Sequence, residues 1–247
     1  IRVSITNIAE RKRNEQFAYA QNKILEMIAA STPFDRTLRS ICRCVEKIGN
    51  DMHAAVMRLD IKNQTLNLEQ APSLPEKFKL ALDFIRVDAD GIACSVAVFE
   101  NREKFITCIA DDVAWNGLQE IAAQNKIKAA WSFPLHGAAG RIIGTLDVYL
   151  DRTRQPSTDE LDKLGRMARL AGIAIKRQLD EERLKSSESR YRGLFENVVD
   201  GVYIASREGD IITVNPALVE MLGYESVEDL KRAGRTTVLY VNPIDRE

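Results

Sequence analysis

The chain has 247 residues, 45% of them apolar and 29% charged, and its 35 basic and 36 acidic side chains leave a net charge of −1. That length admits one full domain with attached pieces or two modest domains, and the charge balance excludes the global basic field of a nucleic-acid binder. Apolar runs stay well below the roughly 18 residues of a bilayer span, and four cysteines without C-x-x-C spacing beside two histidines supply a closed metal site poorly.

The chain opens IRVSITNIAERKR, with no initiating Met and no secretory signal pattern, and is expected to be a section of a longer cytoplasmic polypeptide. From Phe17 the apolar residues Ala20, Ile24, Met27 and Ile28 form one helical stripe, in a helix expected to begin near Ala9. A second helix follows, with Thr32 as its cap, Pro33 at the first position and Asp35 at the positive end. Its apolar face is Phe34, Leu38, Ile41, Val45 and Ile48, flanked by Cys42 and Cys44, and it suits either its own sheet or another chain.

After Gly49 the period changes from helical to alternating. Residues 53–60 and 65–71 predict an antiparallel hairpin joined by IKNQ. Helices are expected over 75–85, 92–100 and 113–125, the last with Trp115, Leu118, Ile121 and Ala122 on one side, and a strand over 104–109. Two further strands lie in AAWSFPLHGAAGRIIGTLDVYLDR (129–152). Alternation puts Trp131, Phe133 and Leu135 on one face of the first; in the second, Ile142, Gly144, Leu146 and Val148 oppose Ile143, Thr145, Asp147 and Tyr149. From Thr158 a long helix starts apolar and turns polar near KRQLDEERLKSSESR, the pattern of a helix that leaves its core to dimerise or bridge. Strands enclosed by helices predict an α+β fold with an antiparallel sheet covered on both faces.

This element order, with KAAWSFPLHGAAGRIIGTLDVYL and PSTDELDKLGRMARLAGIAIKR, resembles a GAF domain over about 20–178, of the type that precedes bacterial kinase or cyclic-di-GMP output domains. ESRYRGLFENVVDGVYIASREGDIITVNPALVEMLGY resembles the opening of a PAS domain, and VSITNIAERKRNEQ the exit of another. The resemblance implies an exit segment over 1–19, a GAF domain over 20–178, a helical linker over 179–190 and the first part of a PAS domain over 191–247, too short to complete that fold. It further implies a cytoplasmic homodimer, paired through helices near Phe17–Ile28 and Ile175–Tyr191, that passes a signal to an output domain outside this chain, without nucleic acid or direct membrane contact.

The residues nominate a small-molecule pocket but no cofactor. Trp115, Trp131 and Phe133, with Phe105, are candidate pocket walls or solid core; Cys94 is a candidate thiol in the manner of GAF-type methionine-sulfoxide reductases, or simple packing. Asp147, with Tyr149 on the same face, is the residue out of place: it either makes a salt bridge or faces water, or it is a polar contact to a ligand. Asp159 and Glu160 read as first-turn acids, because the remainder of the cyclic-nucleotide pattern is missing. His53 and His136 read as a strand start and a hairpin loop rather than haem ligands. With no nucleophile–base set or phosphate loop, the section is expected to be non-catalytic, the alternatives being the thiol reductase and a ligand-free structural spacer with dimer-forming helices.

Overall fold

The computed structural model describes residues 2–232, with side chains from residue 11 onward. The chain divides into a unit ending at Leu179 and a second beginning at Asp180. In the first unit, α1 (Arg2–Ala29) and α2 (Phe34–Glu46) precede β1 (Met52–Asp60) and β2 (Thr65–Gln70). The middle carries α3 (Glu76–Leu82), β3 (Ile85–Arg86), α4 (Ala93–Glu100), β4 (Lys104–Ile106) and α5 (Gln119–Gln124). Then come β5 (Ala129–His136), β6 (Ile142–Leu150) and α6 (Thr158–Asn197), which runs on into the second unit.

The six strands form one antiparallel sheet in the order β3-β2-β1-β6-β5-β4. Because β1, β5 and β6 alternate between two buried faces, their side chains feed two separate cores. One lies against α1, α2 and α6 and takes Val56, Trp131, Phe133, Leu146 and Val148. The other lies under α3, α4 and α5 and takes Ala55, Met57, Ala130 and Tyr149. In α2 the buried residues Leu38, Ile41, Cys42 and Val45 step by three, one and three, the stripe of a helix lying on a sheet. It therefore packs on its own sheet, and both Cys42 and Cys44 are core residues.

Several expectations are corrected. Pro33, not Thr32, is the N-cap of α2, and no side chain caps it; instead Thr37 donates its hydroxyl to the Pro33 carbonyl at 3.3 Å. The helix expected over 113–125 is broken into a 3-10 turn at Val113–Trp115 and α5, because Gly117 takes a φ of 89° between them. The strand expected over 104–109 ends at Ile106. At the β5–β6 hairpin the register slips between Leu135 and His136, so Ile143 joins the helix-side core and Ile142 the opposite one, reversing their assigned faces.

Three contacts fasten α6 within the first unit. Arg154, just before it, grips Asp51 and Glu160; at Gly172 an added Cβ would stand 2.9 Å from the His136 carbonyl oxygen; and Arg177 donates to the Ile28 carbonyl and the Ser31 hydroxyl. Ile175 is fully buried in the same core. The expected dimer seam therefore cannot include it, and the large apolar residues that α6 exposes are Ile173, Leu184, Tyr191 and Leu194. Ile24 of α1 is likewise buried in its own chain, while Tyr19 and Leu25 are exposed. Among the described residues, no helix is long and apolar enough to cross a membrane.

The second unit holds the rest of α6, a hairpin of β7 (Tyr203–Ala205) and β8 (Ile211–Val214), then α7 (Pro216–Met221) and α8 (Val227–Arg232). Fully buried Asn215 organises it: Oδ1 accepts from Val202 and from Leu218 at the start of α7, while Nδ2 donates to the Asp200 carbonyl. The remainder of the expected PAS segment, 233–247, lies outside the described residues.

Two glycines test this register with opposite signs. At Gly144, in central β6, an added Cβ would stand 2.1 Å from the Met57 carbonyl oxygen, whereas at Gly165, inside α6, nothing comes closer than 3.9 Å. Gly144→Ala should destabilise the first unit by about 2 kcal/mol or more; Gly165→Ala should stabilise it by roughly 0.5–1 kcal/mol. Urea unfolding followed by tryptophan fluorescence reads this unit alone, since both tryptophans, Trp115 and Trp131, belong to it. A neutral Gly144→Ala would refute the strand pairing.

Candidate functional site

The sheet separates the six residues nominated from sequence. Trp131 and Phe133 point to the helix side, where Phe105 meets them edge-on at 6.4 and 5.7 Å between ring centroids. Cys94, Trp115 and Tyr149 share the other compartment. Asp147 belongs with them, because it stands directly across the ladder from Ala55, one of that compartment's buried residues. The reason is parity: Trp131 and Phe133 face Val148 and Leu146 across the ladder, one residue out of step with Asp147 and Tyr149.

On that second face Asp147 is 1% exposed. Its Oδ2 accepts a hydrogen bond from Thr145 Oγ1 at 2.8 Å, and the Ser132 hydroxyl favours the carboxylate from the facing strand. No donor meets Oδ1 in hydrogen-bonding geometry. Burial dominates, pushing the Asp147 carboxyl up to about 7 against the weaker help of the two hydroxyls. Its neighbours are held protonated: burial, then the Asp147 charge, push both the Cys94 thiol and the Tyr149 phenol well above their ordinary values. A thiol so placed holds its proton and is a poor nucleophile.

A second polar atom is stranded nearby. The Trp115 indole Nε1 is buried without an acceptor, and its ring meets Tyr149 edge-on at 6.4 Å, as Phe78 does at 5.3 Å. One buried acceptor and one buried donor therefore share an otherwise apolar compartment whose strand positions beside Asp147 are the small Ala55 and Ser132. Unpartnered buried polar groups each cost about 1–3 kcal/mol, and the arrangement suits an occupant carrying both a donor and an acceptor.

Arg154, which the sequence reading passed over, joins the sheet to α6. Its guanidinium makes paired bonds to Asp51 at 2.7 and 3.1 Å and to Glu160 at 2.9 and 2.9 Å, and lies 4.8 Å above the Trp131 ring. The hydrogen bond from Arg154 holds the Asp51 carboxyl below its ordinary value; for Glu160, burial opposes ionisation but Arg154 and Ser157 outweigh it. Glu160 also closes a capping box with Ser157, accepting from its backbone N–H at 2.8 Å, while Ser157 Oγ accepts from Glu160 N at 3.3 Å. The S-x-x-E spacing of Ser157 and Glu160 is the sequence signal for this cap; Asp159 instead pairs with Lys163 at 2.7 Å.

Comparison with known proteins agrees with this geometry. A GAF-domain family model matches residues 31–176, and a PAS-domain family model matches 189–246. The methyl sulfide methyltransferase-associated sensor of Methanosarcina acetivorans is 31% identical over 227 residues, 92% of this chain but 23% of that protein. The chain thus spans under a quarter of that relative's length. Among solved structures, the GAF domain of a phosphoenolpyruvate-protein phosphotransferase from Coxiella burnetii superposes with a TM-score of 0.56 at 11% identity, covering 69% of this chain and 96% of that one. The free methionine-R-sulfoxide reductase of Neisseria meningitidis, in complex with its substrate, gives 0.51 at 17% identity, covering 66% and 91%. At such identities the two structures speak for the fold alone. Since the first family model spans more than half of the chain, over the residues that build the six-stranded sheet, the chain belongs to the GAF-domain family and continues into a PAS-domain segment.

Proposed function

We propose that this chain is a non-catalytic sensory section of a longer cytoplasmic signalling protein. In this reading the Asp147 face takes up a small ligand, and α6 carries the consequence, in a homodimer, to an output domain outside the chain. The observation that carries the reading is the stranded pair on one sheet face, Asp147 Oδ1 and Trp115 Nε1. An occupant that donates to the carboxylate and accepts from the indole removes both penalties at once, and so favours one packing of the face over another. The name of the Methanosarcina relative, a sensor, supports the same reading. The rival, a thiol reductase acting through Cys94, is disfavoured by that thiol's complete burial beside a carboxylate.

The ligand reading predicts a specific pH signature. In the empty protein the folded-state pKa of Asp147, about 7, lies above its unfolded value, so the native state holds the extra proton and stability falls as pH rises from about 4 to 7. Asp147→Asn abolishes this contribution. The stability difference between the variant and the parent should be flat below pH 4 and move in the variant's favour by about 4 kcal/mol by pH 7. Native mass spectrometry is the companion measurement: a small molecule retained by the parent and lost from Asp147→Asn supports the reading, whereas retention by both variants places the ligand elsewhere.

The dimer is tested on the exposed apolar residues of α6. Leu184 and Tyr191, seven apart, lie on one helix face and are 62% and 54% exposed. Replacing both with Glu should convert a dimer into a folded monomer by light scattering, with unchanged tryptophan fluorescence. A parent chain that is already monomeric would sink the idea.

A further inference from the structure

A cavity lies on the helix side of the sheet, in the first unit and away from Asp147. It has a volume of about 530 Å³ and sits between α6, the end of β5 and the connection from α4 to β4. That size is within the range of small-molecule sites. It exists because α6 is pinned to the strand end at Gly172, where a Cβ would nearly touch the His136 carbonyl, and because one to two turns earlier it presents only Gly165 and Ala168. Its floor is apolar: Phe133 and Ala168 are 2% and 7% exposed, Pro134 is buried, and Ile173 stands at the rim.

The charges around this floor are unequal in their commitments. Arg102 gives its Nε to Glu100 at 2.7 Å. Asn101 and His136 bond each other at 2.8 Å through Oδ1 and Nε2, closing one end of the cavity. Arg169 has no ion pair or hydrogen bond among the described residues, although its Nη1 folds back to 3.9 Å from the Cβ position of Gly165. A guanidinium presents a planar fork of donors that fits a carboxylate in two parallel bonds. Glu103, also on the lining, repels additional negative charge.

We propose that this cleft binds a small monocarboxylic acid with an apolar body, its carboxylate on Arg169 and its body on Phe133, Pro134 and Ala168. Polyanions such as nucleotides are selected against by Glu103, and a neutral analogue forfeits the charge-assisted pair. The site is separate from the Asp147 face and does not depend on the function proposed for it.

The test uses the full chain with phenylacetate as probe, phenylacetamide as its neutral counterpart and inorganic phosphate as competitor, read by titration calorimetry and saturation-transfer NMR. Phenylacetate should bind the parent roughly tenfold or more tighter than it binds Arg169→Gln, and similarly tighter than phenylacetamide binds the parent. Arg169 is exposed, so this substitution leaves the core intact. Asp147→Asn should bind phenylacetate as the parent does, which separates this site from the other face. Equal binding by the parent and Arg169→Gln, displacement by phosphate, or no binding to the parent at about 10 mM would each overturn the proposal.

Discussion

The constraint on which this structure depends is that β6 is buried on both faces. It runs between β1 and β5, and after Ile142 every residue through Leu150 is buried. A side chain on β6 has two destinations, the core with α1, α2 and α6 or the core with α3, α4 and α5, and neither is water. Leu146, Val148 and Leu150 suit the first and Tyr149 the second. Asp147 obeys the same parity without the same chemistry. It arrives in an apolar compartment with only the Thr145 and Ser132 hydroxyls and no cation to meet it, and so keeps its proton to a pH at which surface aspartates have long since lost theirs.

The helix side answers its charges differently. Arg154 meets two carboxylates, each through two hydrogen bonds, with Asp51 preceding β1 and Glu160 in the first turn of α6. All three side chains are only partly exposed, at 27%, 11% and 15%, so the pairs are less screened than ordinary surface bridges. Removing one partner would leave partly desolvated charge without an answer, which costs more than the pair contributes when whole. The same guanidinium lies over Trp131, so the start of the exit helix, the start of β1 and the middle of β5 share one cation. Asp51 and Glu160 are pulled toward ionisation and Asp147 away from it for one reason: only the first two have a fixed positive partner.

Much of the fold was legible because its signals are local. The helical stripe of Leu38, Ile41 and Val45, the alternation through Trp131 and Phe133, and the hairpin around IKNQ each depend on neighbours in sequence, and each stands. What failed to show was long-range or set by one backbone angle. The break at Gly117 reads as a tolerated glycine until the chain is seen to turn there, and the register slip at Leu135/His136 that exchanges Ile142 and Ile143 leaves no mark in the hydrophobic pattern. The candidate site was legible residue by residue but not as a set. Aromatic content nominated Trp131 and Phe133 beside Trp115 and Tyr149, and only strand parity sends them to opposite faces. Arg154 was invisible for the opposite reason: in DRTRQPSTDE it is one charge among several, and its partner Asp51 is 103 residues away.

The two chemistries lie one residue apart. Ser132, which faces Asp147 across the ladder, is the neighbour in sequence of Trp131, whose ring lies beneath the guanidinium that holds Glu160 at the head of α6. Proximity by itself does not couple two sites; coupling requires an element with two arrangements of nearly equal energy. In the proposed relay Asp147 would supply the energetic half of that requirement, because a carboxyl pushed up to about 7 changes its charge, and with it its demand on Ser132 and Thr145, for a small change in free energy. The mechanical half rests with α6, which is clamped at Glu160, in backbone contact at Gly172 and tied to α1 through Arg177. A shift of β5 that moved Trp131 would be felt first at Arg154, the one of these three attachments made of ion pairs, which tolerate small changes of distance better than the close backbone contact at Gly172. In the relay proposed for this chain, the head of α6, rather than its middle, is where a change on the Asp147 face would first reach the helix.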